Sequence, residues 1–360
     1  MPTRRKILGG LAAALTCSPT WADVGTPAYI AAAREPDGTF ALYGIGAEGA
    51  DRFRIVLPGR GHAAAAHPRR PEAVAFARRP GLFALAIDCR TGQVTARLQA
   101  PAGRHFYGHG CFSSDGSILY TTENAFESGA GRIGLWSTDE GYRRIGERAS
   151  GGIGPHDVVR LPGTETLAVA NGGIRTHPAS GREKLNIETM RPSLAYLDED
   201  GSIDDLCEPG PEIHRNSIRH LSVRADGLVA CAMQWQGDPF DAPPLLALHK
   251  RGSPLRLVGA RGPLQALLRA YAGSVAFSGG GDRVGFTAPR GGRAQVYSVE
   301  DGRLLQEVRR PDICGIAPHR NGFLATDGTG GVSAVGAVGL HTLTRANRAW
   351  DNHLISIEQK

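Results

Sequence analysis

The chain has 360 residues, 49 of them Gly and 23 Pro, with aromatics at 6%, a profile of many turns rather than long helices. That length suffices for one large or two medium domains and a sizeable core. The formal net charge of +6 comes from scattered arginines, as in HPRRPEAVAFARRPG, and no basic tract carries interleaved aromatics, which argues against nucleic acid as a partner.

The N-terminus, MPTRRKILGGLAAALTCSPTWADVG, sets Arg4-Arg5-Lys6 ahead of a mildly apolar stretch at residues 8–15 and a small-residue exit at Thr20-Trp21-Ala22. This is the pattern of a twin-arginine export signal, cleaved after about Ala22. The apolar stretch is too short to span a bilayer. Lipidation of Cys17 is the alternative, with Thr16 before it a poor fit. The chain therefore divides into residues 1–22, the export signal, and residues 23–360, a single periplasmic domain with no transmembrane segment. Beyond the signal stand Cys89, Cys111, Cys207, Cys231 and Cys314, odd in number and without a CxxC pair. They read mostly as buried small apolar residues rather than a disulfide framework.

The first folded segment, AYIAAAREPDGTFALYGIGAEGADRFRIVLPG, reads as three strands. A repeat follows. GHGCFSSDGSILYTTEN, GPHDVVRLPGTETLAVANGG and IRHLSVRADGLVACAMQW each carry a His, an apolar strand, a turn closing on Gly seven residues later, and a second strand. His62, His109 and His156 are spaced by 47 residues, and His220 follows after an insertion, IRTHPASGREKLNIETMRPS, that reads as a long loop. Two further copies replace the histidine with Ser274 and Gly315. Most copies continue into a third strand with its own turn, as in IGLWSTDEGYRRIG, so each unit holds four strands. Four-stranded units of about 45 residues are blades of a β-propeller. Six full units, plus the three N-terminal strands completed by the C-terminal WDNHLISIEQK, predict an all-β, seven-bladed propeller. Its ring is closed by the last strand joining the first blade, which removes free sheet edges.

The first strand of each blade lines the central channel. His353, His62, His109, His156 and His220 then form an arc on consecutive blades at one mouth, and neutral imidazoles suit Zn, Cu, Fe and Ni. The second strands return to the same face and end on Arg34, Arg78, Glu123, Asn171, Gln234, Arg290 and Asp327. These are expected to ring the histidines, with Glu123 and Asp157 as the nearest partners for them and the arginines drawing an anion or an anionic metal chelate. A lone histidine at a strand start usually just hydrogen-bonds the next blade; five at one register favour a bound metal or ligand. GPLQALLRAYAG, residues 262–273, reads as an amphipathic helix with Leu264, Leu267, Leu268 and Tyr271 on one face, packed between blades. SGGGDR reads as a hairpin turn, and no hydrolase triad, nucleotide fingerprint or phosphate loop is present.

On RRK, GHGCFSSDG with TTEN, GPHD, ANGGI, IRHLS with AMQ, and WDNH, nearly the whole exported chain resembles the domain of unknown function 1513 family. The family consists of twin-arginine-exported, propeller-like bacterial proteins. Its members are often encoded beside imelysin-like, iron-regulated proteins and dihaem cytochrome-like proteins, which implies a role around periplasmic iron and iron-uptake partners. By fold the chain is also similar to the propeller domain of nitrous oxide reductase, whose channel histidines hold copper; two of the seven positions depart here, at Ser274 and Gly315. Three functions are therefore expected in order: a periplasmic propeller that binds iron, or copper second, through the histidine arc; a metal-dependent redox enzyme using Glu123 or Asp157 as acid or base; and an interaction scaffold in which the arc is structural.

Overall fold

Residues 18–78, 82–181, 183–259 and 262–357 are described in a computed structural model of the chain. They form seven antiparallel sheets in a closed ring, a seven-bladed β-propeller. In blades 2 to 7 four consecutive strands run outward from the axis. The innermost are Gly61–Ala66, Arg104–Phe112, Pro155–Arg160, Asn216–Val223, Ser274–Phe277 and Ile313–His319. Blade 1 is shared by the two ends of the sequence. Ala349–Trp350 and Ile355–Ser356 both pair with Tyr29–Arg34, which pairs outward with Phe40–Ile45 and then Asp51–Leu57. Ala33 lies opposite Trp350 and Tyr29 opposite Ser356. The last strand is thus the innermost strand of the first blade, and the ring closes as expected.

Each boundary between neighbouring blades carries its own apolar core. Between blades 2 and 3, Val74, Phe76 and Ala84 meet Phe106, Leu119 and Trp136. Between blades 5 and 6, Leu246 and Leu248 meet Val275, Phe277 and Phe286. Burying one such large side chain stabilises the ring by ~1.5–3 kcal/mol. The blades converge toward the axis, so the inner strands use small residues such as Ala63, Ala64, Ala65, Ala276 and Ala317, all buried. The glycine seven residues beyond three of the histidines closes the first hairpin with positive φ: 81° at Gly116, 74° at Gly163 and 82° at Gly227. Side-chain-bearing residues resist that conformation. Cys89, Cys231 and Cys314 are buried thiols outside any disulfide.

Residues 262–273 depart from the expected amphipathic helix. Only Pro263–Ala266 is helical, Arg269 and Ala270 turn to φ of 53° and 56°, and Leu264 and Leu267 face solvent while Leu268 is buried. The break lets the Ala270 carbonyl accept from the Trp235 amide (3.1 Å) and lets Tyr271 bridge to Gln234. Backbone pairing with blade 5 outweighs local helix preference. Trp21 also stands out. It lies in the short 3-10 turn Trp21–Val24, is buried with Ile55 and Leu57, and its Nε1–H donates to the His67 carbonyl at 2.9 Å. Cleavage after Ala22 would remove that contact. The twin-arginine segment, the apolar stretch and Cys17 lie outside the described residues, and among the described residues no helix is long and apolar enough to cross a membrane.

Candidate metal centre at one mouth of the channel

The five predicted histidines converge, and the device that brings them together is a break in strand register. Pairing jumps from Gly61↔Ala77 to Ala64↔Ala75 around His62, from Phe106↔Glu123 to Gly110↔Thr121 around His109, and from Pro155↔Asn171 to Asp157↔Ala170 around His156. In blade 5 the shift lies between Ile218 and His220, and in blade 1 residues 351–354, including His353, interrupt the C-terminal strand. A bulge adds a residue to one strand and re-aims its side chain. Here it turns the imidazoles to the axis.

His109 is the hub. Its ring centroid lies 4.8 Å from His62, 4.9 Å from His156, 4.7 Å from His353 and 5.6 Å from His220. His220 lies 4.7 Å from His156 and 4.6 Å from His353. The glycines flanking His109 permit this approach. Gly108 has φ of 99°, and a Cβ there would lie 2.8 Å from Cδ2 of His62; a Cβ on Gly110 would lie 2.5 Å from the Tyr120 carbonyl oxygen and 2.8 Å from Cζ of Phe76.

The electrostatics favour neutral rings at His62, His156, His220 and His353. His109 Nδ1 lies 3.2 Å from Oδ1 of Asp157, whose two oxygens also accept from the Val158 and Leu221 amides at 2.9 Å. Burial opposes ionisation of Asp157, but the His109 contact and the Leu221 amide outweigh it and hold the pKa down. A carboxylate on Nδ1 fixes the proton there and leaves the Nε2 lone pair of His109 for another partner. That Nε2 sits 3.2 Å from Nε2 of His62. Burial, then the neighbouring imidazoles and arginines, pushes His62, His156 and His353 well below the ordinary histidine range and His220 down to about 3. Nδ1 of His62, His156 and His220 and Nε2 of His353 are buried with no hydrogen-bond partner.

Two overlapping sets offer metal-ligand geometry: His62, His109 and His156, and His109, His220 and His353, each with ligand atoms within 4.8 Å of one another. With metal–nitrogen distances of ~2.1 Å, two ligands on one ion lie ~3.0 Å apart at a right angle, ~3.4 Å apart in a tetrahedron and ~4.2 Å apart in line. The 3.2 Å His62–His109 separation falls within that span. A separation at the 4.8 Å limit would have to close by ~0.6 Å for an in-line pair and by more than ~1 Å for a tetrahedral one. Orphaned buried nitrogens and an imidazole-rich donor set fit a first-row transition ion.

The second-strand ends divide. Arg78 reaches the mouth and, with Arg60, holds Asp351 at 2.7 and 2.6 Å. Arg290 lies 4.3 Å over the ring of Tyr271, whose hydroxyl meets Nδ2 of Asn352, next to His353, at 3.2 Å. The others do not serve the histidines. Glu123 points across its own blade onto Arg144 (2.6 Å) and Thr121 (2.9 Å), because the pleat sets it on the face shared with the outer strand. Asn171 ties blade 3 to blade 4 through Ser150 and Ser193. Gln234 donates to the Ala272 carbonyl at 3.0 Å, Asp327 caps its turn through Thr329 and Gly331, and Arg34 is exposed at its strand end. Sequence reasoning missed Arg60, Lys184 and Arg219. Burial, then the charges of Arg219 and Arg290, lowers the Lys184 pKa, and Arg219 likewise acts on His156. Arg219 directly precedes His220, and Lys184 lies in the long insertion of blade 4, so adjacency and the insertion itself were the available signals. The histidines given no role at the channel, such as His67, His249 and His319, bond within or between blades.

A seven-bladed propeller whose inner strands converge five histidines on one mouth defines the class of protein. The chain belongs to the family described as Protein of unknown function (DUF1513), which matches residues 55–357. No curated protein matches the sequence. Among solved structures it is similar to Kuenenia stuttgartiensis hydrazine synthase, at 14% identity over 94% of this chain and 99% of that chain, with a TM-score of 0.58. It is also similar to the β-propeller domain of Myceliophteria thermophila Cps50 (Swd1), at 12% identity over 88% of this chain and 93% of that chain, with a TM-score of 0.59. At these identities the likeness is one of fold.

Proposed function

We propose that the chain is a periplasmic metal-binding propeller, exported by the twin-arginine route, that holds a transition ion in the histidine cluster. Iron is the first candidate and copper the second. The single observation that carries the reading is the convergence of five buried or half-buried imidazoles around His109, in two three-histidine sets whose ligand atoms lie within 4.8 Å of one another. Nδ1 of His62, His156 and His220 and Nε2 of His353 are left unpaired, at a cost of about 1–3 kcal/mol for each such buried group, and an ion held by either set would offset part of that cost. The family resemblance and its iron-regulated neighbours favour iron. Arg78, Arg290, Arg219 and Lys184 favour delivery of the ion as an anionic chelate, or exchange with a periplasmic iron-uptake protein, at this mouth. A metal-dependent redox activity is the second reading, favoured by the opening of His109, His220 and His353 onto the channel.

The test is elemental analysis of untagged exported protein beside a His109→Ala/His156→Ala variant that removes ligands from both sets. Near-stoichiometric iron or copper, lost in a folded variant, is the expected result. Absence of metal in both folded proteins would leave the arc a structural feature of an interaction scaffold.

A further inference from the structure

The histidine cluster has two approaches, and they differ in chemistry. On one side stand Arg60, Arg78, Arg219, Arg290 and Lys184. On the other, the channel continues along all seven inner strands as a cavity of about 300 Å³. Three of the five histidines line it, His109, His220 and His353, and these are one of the two ligand sets; His62 and His156 do not. Below them the walls are Ala64, Ala66, Val158, Leu221, Val275, Ile316 and similar uncharged residues, with Ser113, Ser222 and Ser356 toward the far opening. Apart from the histidines, three lining residues are ionisable: Asp157, Arg160 and the Cys111 thiol. Asp157 is committed to His109 and to two amides. Arg160 is turned back onto the Thr164 carbonyl at 2.8 Å. None of the five cations of the opposite mouth lines the cavity.

A charged solute entering from this side meets polar groups but no uncommitted charged side chain to offset lost hydration, a cost that falls on an ion and spares a neutral molecule. Three imidazoles on a transition ion leave a position for a further ligand, the arrangement of sites that react rather than merely store. We propose that the channel delivers a small uncharged molecule to the face of the cluster formed by His109, His220 and His353, opposite the cationic mouth. The inference rests on the metal-binding reading, and it assigns that site a ligand class and a direction of entry.

The test uses the full exported protein loaded with ferrous iron, nitric oxide as the uncharged probe and azide as the anionic one. Ala66→Trp narrows the channel away from the histidines, with Val159→Trp as a second plug should the first fail to fold. Expected is nitric oxide association slowed at least tenfold by the plug, at unchanged iron content, with azide binding unaffected. Nitric oxide reaching the plugged protein at the unaltered rate overturns the route. Azide slowed as strongly as nitric oxide overturns the selectivity for uncharged ligands. If the unsubstituted protein holds no metal, the metal reading fails separately, and xenon pressurisation of the metal-free protein decides the channel. Xenon sites along the inner strands that vanish in Ala66→Trp support an uncharged route; their absence overturns it.

Discussion

Blades 1 to 5 and blades 6 to 7 share one plan and differ at one position. In the first group the inner strand breaks register and presents a histidine. In blade 6, Ser274–Phe277 pairs with Arg283–Ala288 without a shift, and Ser274 stands at the strand start. Blade 7 does shift, between Ile313 and Ile316, but the residue there is Gly315. A Cβ on Gly315 would lie 2.4 Å from Oγ1 of Thr326 and 3.0 Å from the amide nitrogen and Cβ of Leu354. Leu354 follows His353. The missing side chain of blade 7 is therefore the space through which the closing strand brings in the fifth imidazole. The cluster needs a bulge and a side chain on five blades, and a bulge without a side chain on a sixth.

The sharpest way to break this contrast is to remove the hub. His109 belongs to both ligand sets, so His109→Ala is expected to cost nearly all bound metal, while Ser274→Ala keeps the full content by elemental analysis. Equal metal in both would show that the arc and the empty sector do not differ in function.

Acid sensitivity of the metal-free protein is the next largest effect. His62, His156, His220 and His353 have pKa values depressed in the folded protein below the ~6.5 of an exposed histidine. Below that value the unfolded chain binds protons the folded chain refuses, so stability falls as pH falls. Above about 7 the four contribute no slope. Each adds up to ~1.4 kcal/mol per pH unit between ~6.5 and its folded value. Denaturant midpoints are expected to be level from pH 8 to 7 and to drop steeply from pH 6 to 4. The slope should be shallower in His156→Ala and unchanged in Ser274→Ala. A level profile down to pH 4 would contradict buried neutral rings.

Asp157→Asn comes third. The amide retains the shape but not the charge that holds the proton on Nδ1 of His109. Loss of such a partner typically costs 10–100-fold in metal affinity. Titration against a competing chelator measures it; affinity unchanged in a folded variant would remove Asp157 from the site.

Much of this plan was legible in the sequence, and the misses have a common cause. The blades, the ring closure and the histidine register follow from a repeat of hairpins whose His-to-Gly step is fixed, because strand period and turn chemistry are local. Side-chain direction at strand ends is not local. Glu123 and Asn171 occupy the same register as Arg78, yet they are claimed by Arg144 and by Ser150, residues on outer strands that the repeat does not align. Lys184 reaches the mouth from an insertion with no counterpart in other blades. The helix expected over residues 262–273 yielded to pairing with Gln234 and Trp235. Trp21 shows the same tension between local pattern and tertiary contact. Its position suits a cleavage site, but its burial against blades 1 and 2 predicts that the purified chain still carries it, which N-terminal sequencing decides.

The finest test separates the two empty positions from each other. Gly315→Ala forces a Cβ against Thr326 and the backbone of Leu354, so either the closing strand or the inner strand of blade 7 must move. Overpacking of this kind costs about 1–3 kcal/mol. Ser274→Ala removes a hydroxyl from a strand start that pairs regularly, and a change near the ordinary scatter of ~0.5 kcal/mol is expected. The two substitutions add or remove one heavy atom at equivalent places in neighbouring blades. If Gly315→Ala lowers both the denaturant midpoint and the metal affinity while Ser274→Ala lowers neither, the glycine acts through His353. If Gly315→Ala lowers stability alone, ring closure and ligand placement are independent, and the space beside Leu354 serves the fold only.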